Sequence, residues 1–430
     1  MARESAAVMS PQAKLVLVCG ALLLTLAMGI RQTFGLFLAP MSADLGLGRE
    51  AFAFAMALQN LLWGVVQPLT GMIADRFGAV PVLLTGTAAY ALGLTVMSGA
   101  TSPWGLYAGG GVLVGLAMSA TSFSVVLGVV GRVVAPEKRS MALGVVSAGG
   151  SFGQFIMAPV GQQLIAAEGT TGALLSLALL SLLMAPLAVG MAQRRQAGPP
   201  LAAAAGAIRP GAPEQSLGRQ SLGRQARGTQ SLADALGEAG RHAGFWYLTA
   251  GFFVCGFQVV FIAVHLPAYL NDLGMDPALG ATALALIGFF NVIGTWSCGA
   301  LGGRYSKKYL LSGLYITRAL IIAVFLIAPK SEAVVVVFAA ALGLLWLGTV
   351  PLTSGLVAQI FGVRYLSTLF GIVFLSHQLG SFLGVWLGGV VYDSTGSYDS
   401  IWIASILLGI IAAVLHLPIA DRPLRVEATA

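Results

Sequence analysis

The sequence predicts an all-α integral membrane protein of twelve transmembrane helices arranged as two six-helix pseudo-repeat halves. Three observations carry that prediction. Of the 430 residues, 57% are hydrophobic and only 9% charged, against roughly 25% charged in a soluble globular domain. The apolar residues gather into runs of about 17 to 27, the length a helix needs to cross a bilayer core of about 30 Å. The chain also echoes itself, because Gly71-Met-Ile-Ala-Asp75-Arg76-Phe-Gly78 is matched 228 residues later by Gly299-Ala-Leu-Gly-Gly303-Arg304.

The elements follow in order. A tail at 1–14 precedes the first span at 15–39, which begins after Lys14, exceeds a signal peptide's apolar core and is followed by further spans, so it reads as an uncleaved helix. Spans two to six fall at 52–73, 80–97, 104–130, 141–165 and 173–191 and complete an N-terminal half at 15–191. Residues 192–244 differ in kind: they are rich in Ala, Gly, Arg and Gln and contain the tandem repeat Ser216-Leu-Gly-Arg-Gln, Ser221-Leu-Gly-Arg-Gln. Such composition buries no core and reads as a flexible linker. Within it, 231–241 is expected to form a short surface helix with Ser231 as N-cap and Asp234 in the first turn. Spans seven to twelve fall at 245–270, 279–301, 309–327, 334–360, 369–391 and 401–417, a C-terminal half at 245–417 with a tail at 418–430. A parallel repeat of two such halves is a transporter architecture, with its substrate site near the midplane between them.

The net charge is +7, from 23 Lys and Arg against 16 Asp and Glu. Position matters more than the sum. Both tails, the linker and alternate loops hold 19 of the 23 basic residues, while the opposite loops hold two, Arg49 and Lys330. The positive-inside rule therefore puts both termini and the linker in the cytoplasm of a multi-pass protein. The three cysteines, Cys19, Cys255 and Cys298, lie inside apolar runs and give neither a disulfide framework nor a metal spacing.

The GMIADRFG segment at Gly71–Gly78 resembles the Gly-x-x-x-Asp-Arg-x-Gly signature of the major facilitator superfamily, in the loop between helices two and three. A finer resemblance runs from Pro136-Glu-Lys-Arg139-Ser-Met-Ala142-Leu-Gly144 through Ala148-Gly149 and Gly153 to Pro159, which is similar to the entry to helix five in the monocarboxylate and oxalate/formate transporter branch. His265-Leu-Pro267-Ala-Tyr269 and Thr395-Gly396-Ser397-Tyr398 are similar to that branch too. Two motifs of the superfamily's drug exporters are degraded. Gly111 stands at the proton-coupling Arg position of helix four, and Gly149-Gly150 replaces the Gly-Pro pair of helix five. The resemblance implies a major facilitator fold and a cytoplasmic gate that includes Asp75 and Arg76.

All 16 acidic residues fall outside the spans, whereas Arg31 and Arg318 fall inside them. Buried charge in lipid is costly, which makes each arginine a functional candidate. An unbalanced positive interior suits an anion, and Arg31 sits where the branch resemblance implies a helix-one Lys. A guanidinium fork matches a carboxylate. The alternative for either arginine is packing against backbone carbonyls. His377 and Gln378 lie mid-helix eleven, where the oxalate/formate members resemble this stretch with a Lys matching His377. Histidine there would bind an anion and sense protons, or else sit neutral and satisfied. His265 and Gln258 are two turns apart on one face of helix seven, so they line a cavity or serve packing and gating. Asn291 and Thr295 occupy the positions of an acid and an Arg in the monocarboxylate members, so that pair's proton coupling does not carry over. They remain candidates for hydrogen-bonding a substrate or bonding between helices. Gln59, Asn60, Gln67 and Gln154 read as packing groups, and Gly380, Gly384 and Gly388 as a small face for close helix contact. Gly149-Gly-Ser151-Phe-Gly153 fits the hydrolase Gly-x-Ser-x-Gly pattern, but inside a spanning helix the fit is a coincidence.

The expectation is a secondary transporter of a small organic anion, a monocarboxylate first, working by alternating access with proton symport or anion exchange. The location expected is a bacterial inner membrane and the oligomeric state a monomer. Exporting a neutral or amphipathic drug or metabolite is the alternative, and a transporter-like sensor that signals through its linker a third. No phosphate loop, metal-ligand spacing or catalytic constellation is present in the sequence, so neither an enzyme, a cofactor, a metal nor a nucleic-acid partner is expected.

Overall fold

The computed structural model describes residues 9–134, 136–192, 231–362 and 365–424. The tandem repeat and most of the expected linker therefore lie outside the described residues, as do the outermost parts of both tails.

Span one is α1 (Pro11–Gln32) and α2 (Phe34–Leu45), joined at Thr33. Span two is α3 (Arg49–Phe77) and span three α4 (Ala79–Ser98). Span four is not continuous: α5 (Pro103–Leu106) passes through a π-helical turn, Tyr107–Leu113, into α6 (Val114–Thr121), and an extended Ser122 separates that from α7 (Phe123–Val133). Spans five and six share α8 (Pro136–Ser181), with α9 (Met184–Gly190) after it. The apolar run Ala142–Gly190 covers 49 residues, far more than the roughly 20 that one crossing takes. Gly169, at φ 70°, divides it, and only glycine enters that region freely. The eleven apolar runs thereby make twelve crossings.

The surface helix expected between the halves is α10 (Leu232–Arg241), and its start is a full capping box: Asp234 N donates to Ser231 Oγ at 3.1 Å, and Ser231 N to Asp234 Oδ2 at 3.1 Å. The second half comprises α11 (Ala243–Asp272), α12 (Pro277–Gly302), α13 (Lys307–Ile327), α14 (Glu332–Leu345), α15 (Thr349–Phe361), α16 (Leu366–Thr395) and α17 (Asp399–His416). Span ten is α14 plus α15, divided at residues 346–348. The helices run past the predicted spans, so Asp44, Glu50, Asp272 and Asp393 sit on helix ends rather than in loops. Glu168 lies beside the Gly169 break of α8 and Glu238 on the short helix α10.

Glycines set the closest packing. On α8, side chains at Gly149 and Gly153 would strike the carbonyls of Ala21 and Thr25 on α1. On α16, Gly380 and Gly384 face the carbonyls of Phe253 and Phe257 on α11 in the same way, and Gly388 faces the His265 ring. The two halves thus repeat one contact, span one on five and span seven on eleven. The Gly-x-Ser-x-Gly match belongs to this stripe. Between the halves, α3 packs on α16 and α8 on α12. The periphery stays apolar, with Trp296 76% and Ile327 84% exposed, which suits contact with lipid tails.

Candidate functional site

Arg31 is the penultimate residue of α1, two before the Thr33 junction, and points between the halves. Its Nη2 donates to Asn60 Oδ1 of α3 at 2.6 Å, and its Cζ lies 5.2 Å from the centre of the Trp63 ring. Asn60 is held in turn, since its Nδ2 donates to Met56 O at 2.7 Å. Across the interface, Gln378 Nε2 donates to the backbone carbonyl of Asn60 at 3.1 Å, and His377 Nδ1 bonds Gln378 Oε1 at 3.1 Å. An aromatic wall follows the same line: Trp63 meets Phe374 edge-on at 6.0 Å, and Phe374 stacks on His377 at 5.7 Å. Four polar residues that the sequence offered separately, Arg31, Asn60, His377 and Gln378, are thereby joined across the two halves. No carboxylate hydrogen-bonds this group among the described residues.

Asn291 and Thr295 lie on the other seam. Asn291 Nδ2 donates to Ser151 Oγ of α8 at 3.1 Å, while its Oδ1 accepts from Thr295 Oγ1 at 3.0 Å and from Leu347 N, in the break of span ten, at 3.1 Å. Asn291 stands 228 residues after Trp63, the same offset as the sequence echo. Trp63 Nε1 in turn donates to Ser122 Oγ, at the break of span four, at 2.9 Å. Equivalent positions on spans two and eight therefore satisfy polar groups at the helix breaks of spans four and ten, which would otherwise be orphaned in lipid.

Arg318 and Gln258 sit inside the second half, away from Arg31. The Arg318 side chain is fully buried; it donates to the carbonyls of Leu345 and Trp346, the latter at 2.9 Å, to Gln258 Oε1 at 3.2 Å and to Cys255 Sγ at 3.6 Å. Gln258 Nε2 donates onward to Ser405 O at 2.7 Å. This network closes the C-terminal end of α14.

His265 lies beneath a cross-half cluster at the face opposite the termini. There Arg49 makes a bidentate pair with Asp272, at 2.6 and 2.5 Å, and lies 3.8 Å over the Tyr392 ring. Asp393 accepts from the Arg49 and Glu50 backbone nitrogens at 2.9 and 2.8 Å, capping α3 from the other half. Arg49 Nη1 donates to Tyr398 Oη at 2.9 Å, so the Tyr398 hydroxyl donates to His265 Nδ1 at 3.1 Å and His265 Nε2 donates to Val385 O at 2.9 Å. Burial raises the Tyr398 phenol above its ordinary range, which keeps it a donor. With Nδ1 accepting and Nε2 donating, His265 is a neutral imidazole. Sequence reasoning missed this cluster, although Arg49 was one of two basic residues breaking the loop-charge pattern. The other, Lys330, caps α13 by donating to the carbonyls of Phe325, Leu326 and Ala328 at 2.8 to 3.0 Å. At the terminal face Arg76 is exposed, and the side chain of Asp75 lies outside the described residues.

A family model described as Major Facilitator Superfamily matches residues 18–351. Among relatives, monocarboxylate transporter 13 of Rattus norvegicus is 25% identical over 383 residues, 88% of this chain and 82% of its own. The oxalate:formate antiporter of Oxalobacter formigenes is 23% identical over 423 residues, 95% of this chain and 92% of its own. Among solved structures, a bacterial homolog to the human lysosomal transporter Spinster, inward-facing and unoccupied, superposes with a TM-score of 0.72 over 95% of this chain and 97% of its own. At 15% identity that likeness speaks for the fold alone.

Proposed function

The chain belongs to the Major Facilitator Superfamily, and on that premise we propose that it is a secondary active transporter of a small organic anion, a monocarboxylate first. The observation that carries the reading is Arg31: a guanidinium between the halves, bonded to the neutral Asn60. Two relatives support it by name, one a monocarboxylate transporter and one an oxalate:formate antiporter. As a member of a transporter family, the chain is no enzyme. In this reading the substrate carboxylate supplies the negative charge opposite Arg31, and His377 with Gln378 joins the site to the second half through Asn60. Alternating access opens the site to each face in turn, coupled to proton symport or to exchange of a second anion. The loop charges favour cytoplasmic termini, and the location proposed is the inner membrane of a bacterium. The Arg49 cluster then closes the outer side.

The test is thermal stabilisation of the detergent-purified protein, followed by uptake into proteoliposomes. A ligand at 100 times its dissociation constant stabilises the folded state by about 2.7 kcal/mol. Small carboxylates should raise the melting temperature of the parent and leave that of Arg31→Gln unchanged, and uptake should be lost in the same variant. Stabilisation by lipophilic cations or neutral amphiphiles alone would favour an exporter instead.

A further inference from the structure

Resting on the anion reading, we propose that Arg31 and Gln32 together form the carboxylate cradle, a pocket of two donors that admits one oxygen of a monocarboxylate and no second charged group. Between α1, α3 and α11 lies a void of about 10 Å³, the room of one water-sized group, lined among others by Arg31, Gln32, Gln59, Asn60, Val260 and Val264. Two buried donors on its lining residues have no partner among the described residues, Arg31 Nε and Gln32 Nε2. The Gln32 side chain is only 3% exposed, so it cannot turn to bulk water. Most buried donors in folded proteins are paired, so two unpaired ones on residues lining one void call for an acceptor.

The neighbouring amides do not compete for that acceptor. Gln59 Nε2 already donates to Gly110 O at 2.9 Å and Asn60 Nδ2 to Met56 O at 2.7 Å, and neither is left without a partner. The opposite wall, Val260 and Val264, is apolar and belongs to the second half. A carboxylate oxygen accepts without donating, so it fits a void whose lining residues carry two unpaired donors. A second carboxylate has neither a cation nor space there. Because its walls come from both halves, the filled pocket bridges them.

The experiment measures dissociation constants for acetate, pyruvate and phenylacetate, with oxalate, malonate and succinate as matched dicarboxylates, on the purified full-length chain. The parent should bind at least one monocarboxylate, and bind it more tightly than its dicarboxylate. Gln32→Leu should weaken that binding roughly tenfold, while Arg31→Gln abolishes it. If Gln32→Leu fails to fold, Gln32→Asn, which withdraws the amide by one methylene, carries the same comparison. Unchanged affinity in the Gln32 variant alongside loss in Arg31→Gln would overturn the cradle but leave the anion reading standing. Equal affinity for dicarboxylates would overturn the single-oxygen limit. Binding of no carboxylate by the parent would remove both.

Discussion

Two arginines inside apolar runs look alike in the sequence, because spacing along a helix gives depth but not partners. In the structure they separate. Both leave Nε unpaired among the described residues, but Arg31 has one side-chain hydrogen-bond partner, whereas Arg318 is bonded to two carbonyls, an amide and a thiol. Removing Arg318 leaves buried acceptors unpaired, at a cost of about 1 to 3 kcal/mol each. Arg318→Leu should therefore lower the melting temperature sharply, yet leave the carboxylate affinity of the folded fraction within about twofold of the parent, as befits a residue that bonds helix ends. A loss of affinity as large as that expected of Arg31→Gln would instead put Arg318 in the site. Gln32 illustrates the converse limit: beside Arg31 in sequence, it carries no pattern of its own, and only its missing partner and the void it lines single it out. His265 was legible as a helix-seven histidine near the end of its span. Its neutral state was not, because that depends on Arg49 and Tyr398, more than 100 residues away in either direction.

At the scale of elements, hydropathy and loop charge located every span, since length and apolarity are what a bilayer selects. They were blind to the breaks at Ser122 and at residues 346–348, because unwound backbone in a membrane is tolerated wherever neighbouring side chains satisfy it. Trp63 and Asn291 do so, and neither looks like a capping residue in isolation. Small residues at four-residue spacing were legible, as Gly380 and Gly384 against the carbonyls of α11 demonstrate. That contact makes a sharp prediction. Gly384→Val would drive a side chain into the Phe257 backbone and should abolish recovery of monodisperse protein from detergent. Gly371, with nothing within 4 Å of an added Cβ, is the control: Gly371→Ala should be neutral or stabilise by up to about 1 kcal/mol through the unfolded chain. If both variants behave alike, close backbone approach is not what holds α16 on α11.

For the whole molecule, the question is what keeps one face closed. Arg49 and the α3 N-terminus belong to the first half, and Asp272, Asp393 and Tyr398 to the second, so opening that face must break all their contacts together. The pair is partly solvated, with Arg49 12% and Asp272 30% exposed, and its strength is accordingly modest, about 1 kcal/mol. A modest latch is what alternating access requires, because a cluster worth much more would trap one conformation. Asp272→Asn should therefore shift the population toward the open face by about fivefold, not abolish closure. The reporter is a cysteine at Phe382, one turn below Trp386 and packed on Phe54 of the first half with ring centres 6.1 Å apart, in a background lacking the native cysteines. A membrane-impermeant maleimide applied from the face opposite the termini should label it about five times faster in Asp272→Asn than in the parent, and raised salt should speed the parent toward the variant by screening the pair. Equal labelling rates at low salt would mean that packing of α3 on α16, rather than the charged cluster, holds the face shut.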